Sequence, residues 1–73
     1  MIYVLVTCYL EDLTDVKSFM IPQGLKIDEN YGLRENNGKV TFRGSVSNSD
    51  SFDTIISSLA CGMFDFCEIS SDW

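Results

Sequence analysis

Residues 2–10, IYVLVTCYL, decide the fold. They contain no glycine, proline or charge, and β-branched and aromatic side chains dominate. That composition with a period of two predicts a β-strand. Ile2, Val4, Val6, Cys8 and Leu10 share one face, which is aliphatic and reads as core. Tyr3, Leu5, Thr7 and Tyr9 share the other, which is amphipathic and reads as a surface that is partly buried or meets a partner. This is the most apolar stretch of the chain, so it belongs at the centre of a sheet.

Working outward, residues 11–21, EDLTDVKSFMI, predict a short helix. Asp12 is placed to cap it and Asp15 to favour its first turn electrostatically. Leu13, Val16 and Phe19 or Met20 give the apolar stripe, and Pro22 and Gly24 end it. Residues 25–34 read as a strand with Leu25, Ile27, Tyr31 and Leu33 on one side; Glu29 interrupts that side and signals an edge or a bulge. Glu35-Asn36-Asn37-Gly38 is a hairpin turn, since Asn-Gly supplies the positive φ angles that tight hairpins need. KVTFRGSV, residues 39–46, returns with Val40, Phe42 and Val46 inward and Lys39, Thr41 and Arg43 outward.

A polar break at residues 47–49 precedes a second helix over about 50–61, capped by Ser49 or Asp50. Phe52, Ile55, Ile56, Leu59 and Met63 recur at helical spacing, and Gly62 suits a left-handed stop. FDFCEIS, residues 64–70, makes the last strand. The order strand, helix, strand, strand, helix, strand predicts an α+β fold of the ferredoxin-like split βαβ kind (βαββαβ). Right-handed crossovers then set a four-stranded antiparallel sheet of order 4-1-3-2 with both helices on one face. At 73 residues the chain is read as a single domain, 1–73.

Eleven carboxylates stand against five basic residues, for a net charge of -6, and there is no histidine. Without histidine, a carboxylate or lysine would have to act as the base for any nucleophile. The expectation is therefore no catalytic activity. No cofactor and no metal site are expected either, since a hard-cation loop needs clustered oxygens around a turn glycine. Cys8 lies within the aliphatic run and reads as a buried thiol, while Cys61 and Cys67 could meet across a helix-to-strand turn. An odd cysteine count, no basic leader and no cleavage pattern point to the reducing cytoplasm. The apolar start is too short to span a bilayer, and a hydrophobic fraction of 45% argues against disorder.

Two relatives of this fold class offer comparisons. Acylphosphatases carry a glycine-rich, arginine-bearing phosphate loop after the first strand, where this chain has the acidic TCYLEDLTD. RNA-recognition domains stack bases on sheet aromatics, a role that Tyr3, Tyr9 and Phe64 or Phe66 could fill. Residues 24–46 hold four cations and three carboxylates, a balance of +1, which leaves -7 on the rest of the chain. That imbalance argues against direct nucleic-acid binding. A protein-docking surface accounts better for an aromatic sheet face. Tyr3, Tyr9 and Phe66 are its expected apolar anchors, and Glu11, Asp12, Asp15, Asp65 and Glu68 its acidic rim. The expected partner is a protein with a basic surface; a homodimer through the same face or by edge-strand addition is equally compatible, and the two can coexist. No membrane partner is expected.

In size and acidity the whole chain resembles the small inhibitors that bacteriophages make against host defence, including anti-CRISPR and anti-restriction proteins. That resemblance implies a steric mechanism in the host cytoplasm. The protein would cover the basic surface of a CRISPR effector or nuclease and block nucleic-acid binding, with its acids standing in for phosphates. The competing expectation is a homo-oligomeric, small-molecule-sensing or regulatory ferredoxin-like module.

Overall fold

A computed structural model describes residues 1–59 and 62–71. Strand β1 (Ile2–Tyr9) pairs antiparallel with β4 (Lys39–Val46) on one side and with β5 (Cys67–Ser71) on the other. It therefore has no free edge, as its apolar composition requires. Between β1 and β4 come helix α1 (Leu13–Met20) and two short strands, β2 (Lys26–Ile27) and β3 (Arg34–Asn36), both paired to β4. Helix α2 (Ser49–Leu59) connects β4 to β5. The result is an α+β fold with two helices and a five-stranded antiparallel sheet of order β2-β4-β1-β5, with β3 also on β4.

The strand expected over 25–34 is thus broken in two, and the sheet has five strands rather than four. The break has a local cause. Asp28 donates its N–H to the Arg43 carbonyl at 2.9 Å, the last backbone bond β4 makes here. Its side chain then accepts the Asn30 N–H at 3.1 Å, and its carbonyl accepts the Tyr31 N–H at 3.3 Å. An Asx turn of this kind bends the chain away from a ladder. Gly32, at φ +75°, completes the detour before Arg34 rejoins β4. The Asn37-Gly38 turn itself follows expectation: both residues have positive φ, 55° and 80°, and Asn36 pairs directly with Lys39.

The helix ends differ from expectation in instructive ways. A 3-10 turn at Leu10–Asp12 runs straight into α1, so Asp12 is itself helical (φ -95°, ψ -4°) and its side chain caps nothing. The Leu13 N–H is instead satisfied by the Leu10 carbonyl. At α2 the cap is Asn48, whose Oδ1 accepts the Ser51 N–H at 3.0 Å, rather than Ser49 or Asp50. Gly62 is left-handed at φ 76° and donates its N–H to the Leu59 carbonyl, as a helix stop should. Residues 64–66 are bends, so the last strand starts at Cys67 rather than Phe64.

One hydrophobic core lies on a single face of the sheet. Val4, Val6 and Cys8 of β1 meet Val40, Phe42 and Val46 of β4 there, covered by Val16 and Met20 of α1 and Ile55 of α2. Leu25 closes the core beside β2. Ile56 and Met63, expected in the α2 stripe, are exposed instead. Among the described residues no helix is long and apolar enough to cross a membrane.

Candidate functional site

Neighbouring partners in an antiparallel sheet present their side chains on the same face. The register therefore defines what lies opposite the core. One row joins Lys26 of β2, Ser45 of β4 and Tyr3 of β1. The next joins Arg43, Leu5 and Ser70, and the third joins Arg34, Thr41, Thr7 and Glu68. The last holds Asn36, Lys39 and Tyr9, with Phe66 against the Tyr9 ring at 5.5 Å between centroids. Neither helix lies on this face, because both contribute to the core on the other.

Four of the five cations in the chain stand on this face, and three of them lie over aromatic rings. The Arg43 guanidinium is 4.3 Å from the Tyr3 ring centre, and Arg34 is 4.3 Å from that of Tyr31. Lys39 Nζ lies 4.2 Å from the Phe66 ring and 5.9 Å from that of Tyr9. Arg43 also pairs with Asp28, Nη1 to Oδ2 at 3.2 Å, with both side chains about a quarter exposed. At the centre of the face the Thr7 and Thr41 hydroxyls are hydrogen-bonded at 2.9 Å. These contacts restrain long side chains on the face.

The structure brings Tyr3, Tyr9 and Phe66 onto one surface, with Tyr3 exposed and the other two half-buried. Glu68 joins them from β5, and exposed Asp65 directly precedes Phe66. Glu11, Asp12 and Asp15 stand apart, on the 3-10 turn and α1. The rim nearest the aromatics is therefore cationic along β3 and β4, with Asp28 paired to Arg43, and acidic along β5. Alternation along 39–46 placed Lys39 and Arg43 outward. Lys26 and Arg34 needed the β2 and β3 register, which the broken strand hides. Phe64, the other candidate for this face, turns to the helical side, its ring 6.2 Å from that of Phe19. The bends at 64–66 separate the two phenylalanines.

On the helical side a groove of about 350 Å³ runs between α1 and the 28–33 detour, lined by Lys17, Ile21, Ile27, Leu33 and Phe42 among others. Lys17 Nζ lies 5.6 Å from the Phe42 ring centre. Among the described residues no cluster of three metal-ligating side chains occurs. The fold perturbs the protonation of two thiols, Cys8 and Cys67. Burial pushes Cys67 up to about 11, assisted by neighbouring Cys8 and the Asp12 carboxylate. Burial also raises Cys8, with Asp12 adding to the rise and Lys17 opposing it.

The chain matches no known protein-family model and no curated protein by sequence.

Proposed function

We propose that this protein is a small binding module that acts by occupying a partner protein's surface rather than by chemistry. The observation that carries the reading is the open sheet face, where Tyr3, Tyr9 and Phe66 are held in place by Arg43 and Lys39 of β4. Aromatic and arginine side chains are the groups that dominate protein interfaces. The strand order supports a ferredoxin-like arrangement whose second strand is interrupted by the Asp28 turn.

The acids give the molecule a second surface of opposite sign. Glu11, Asp12 and Asp15 cluster on the 3-10 turn and the first half of α1, and the overall charge is -6. That surface suits a partner with a basic surface, and covering such a partner excludes nucleic acid from it. Steric inhibition of a nucleic-acid-binding complex, such as a CRISPR effector or nuclease, is the activity that this charge pattern serves best.

The test is affinity capture by the tagged protein from bacterial lysate across a salt series. The captured complex is then titrated with the protein while the anisotropy of a labelled oligonucleotide is followed. The reading expects one nucleic-acid-processing complex, recovered less as salt rises, that releases the oligonucleotide. Paired Asp12→Lys and Asp15→Lys changes should weaken capture, and so should paired Tyr3→Ala and Tyr9→Ala, each by about tenfold or more. Because the Asp12 side chain makes no cap bond, circular dichroism should show an unchanged fold for the charge reversal. Capture of nothing but the protein itself, or of a complex whose oligonucleotide stays bound, would overturn the reading.

The groove beside Lys17 favours a second reading, a homo-oligomeric module that senses a small molecule. The groove sets the apolar Ile21, Ile27, Leu33 and Phe42 beside one ammonium, Lys17, and two carboxylates, Asp28 and Glu29, so it suits a ligand with an apolar body and a neutral or cationic end. Sedimentation of the purified protein as a stable dimer would favour this reading over the first.

A further inference from the structure

The β1–β5 register places Cys8 directly opposite Cys67. Sequence spacing also allows Cys61 and Cys67 to meet; Cys61 lies outside the described residues. Cys8 shares its face of β1 with Val4 and Val6, so both sulfurs point to the core side of the sheet. Directly opposed residues in an antiparallel pair have Cα atoms roughly 4.5–5.5 Å apart. A disulfide bridges Cα atoms about 4.4–6.8 Å apart. The backbone geometry is therefore already within range.

We propose that Cys8 and Cys67 form a cross-strand dithiol that a small-molecule disulfide converts to an intramolecular disulfide. Three features favour the reaction. Both thiols are free in the structure, and they are the final pair of the ladder, preceded by bends at 64–66. Any small closing movement thus falls at a strand end and leaves the central β1–β4 pairing intact. Burial is also graded: Cys8 is fully buried and Cys67 half-buried, so a reagent reaches Cys67 first and finds Cys8 beside it.

The chemistry balances with oxidised glutathione as oxidant. The Cys67 thiol loses its proton, and its sulfur attacks one glutathione sulfur, breaking the S–S bond and releasing one glutathione thiolate. Cys8 loses its proton and attacks the Cys67 sulfur of the mixed disulfide, releasing the second glutathione. The protein has lost two protons and two electrons, and one disulfide has become two thiols. Because burial disfavours both thiolates, the first attack is slow at neutral pH and quickens as pH rises. The product ties the start of β5 to β1 next to Phe66, so oxidation fixes one edge of the open sheet face.

The experiment uses the full chain with Cys61→Ser, incubated with a graded ratio of oxidised to reduced glutathione. Intact mass and a non-reducing peptide map are read after acid quenching. The expected product is a monomer that has lost two hydrogens and yields one cross-linked peptide pair containing Cys8 and Cys67. Cys8→Ser in the same background should stop at a glutathione adduct on Cys67, because the resolving sulfur is gone. Three results would overturn the proposal: both thiols free at a strongly oxidising ratio, a persistent glutathione adduct with Cys8 present, or a disulfide-linked dimer. Circular dichroism of each variant before oxidation confirms that the sheet is intact, so none of these results can be attributed to unfolding.

Discussion

Gly44 on β4 sits between Val4 of β1 and Ile27 of β2, on the core face, and substituting alanine there gives a test of opposed signs. Glycine in a strand interior is destabilising by roughly 0.5–1 kcal/mol relative to alanine. Local propensity alone therefore predicts that Gly44→Ala stabilises the protein. Packing predicts the reverse. A Cβ at this position would lie 2.8 Å from Leu25 Cδ1 and 2.8 Å from the Lys26 carbonyl oxygen. Leu25 is buried, and Lys26 is held in β2 by its pairing with Ser45. Neither neighbour retreats freely. Overpacking of this kind costs about 1–3 kcal/mol, and two contacts at 2.8 Å place it in the upper part of that range, about 2–3 kcal/mol, so the propensity gain is outweighed and a net loss of about 1–2.5 kcal/mol remains. At about 2.1 cal/mol/K of unfolding entropy per residue, a chain of this length loses roughly 7–16 °C of Tm. Thermal and urea unfolding followed by far-ultraviolet circular dichroism measure the change. An unchanged or raised midpoint would refute the claim that β2 is packed against the Gly44 backbone.

Two further outcomes follow from the thiols and from the α2 cap. The Cys67 thiol titrates at about 11 in the fold against an ordinary 9.0, so the native state holds this proton more tightly than the unfolded chain. Its contribution to stability is fully present below pH 9 and is lost as pH rises through 11. Urea midpoints measured across that window should fall, and Cys67→Ser should flatten the decline. Asn48→Ala removes the acceptor of the Ser51 N–H and should cost about 1 kcal/mol in urea unfolding, whereas Ser49→Ala should cost much less.

The aliphatic face of residues 2–8, the Asn37-Gly38 turn and the Gly62 stop were all legible in the sequence, because each depends on neighbours a few positions away; Leu10, expected on that face, is instead exposed on the 3-10 turn. Val4, Val6 and Cys8 are core because a period of two admits nothing else once Val16, Met20 and Ile55 cover that face. The three aromatic anchors were legible in part. Alternation placed Tyr3 and Tyr9 opposite the core, but only the bends at 64–66 separate Phe66 on the open face from Phe64 on the helical side. Asp28 also misled locally. It stands in an alternating run that reads as strand, yet its side chain prefers the Asn30 N–H and Arg43, so the strand breaks there.

By itself the sequence determined the α+β class, the central place of β1 and the acidic excess, since composition and periodicity encode burial and charge without reference to distant residues. Only tertiary structure decided which charges meet which rings. Arg43 lies over Tyr3, Lys39 over Phe66 and Tyr9, and Arg34 over Tyr31, on a face assembled by the registers that β2, β3 and β5 adopt on β4 and β1. The same pairing set Cys8 against Cys67 across 59 positions of chain. Register is a long-range quantity, fixed by how whole strands pack their apolar sides, and no local pattern of residues carries it.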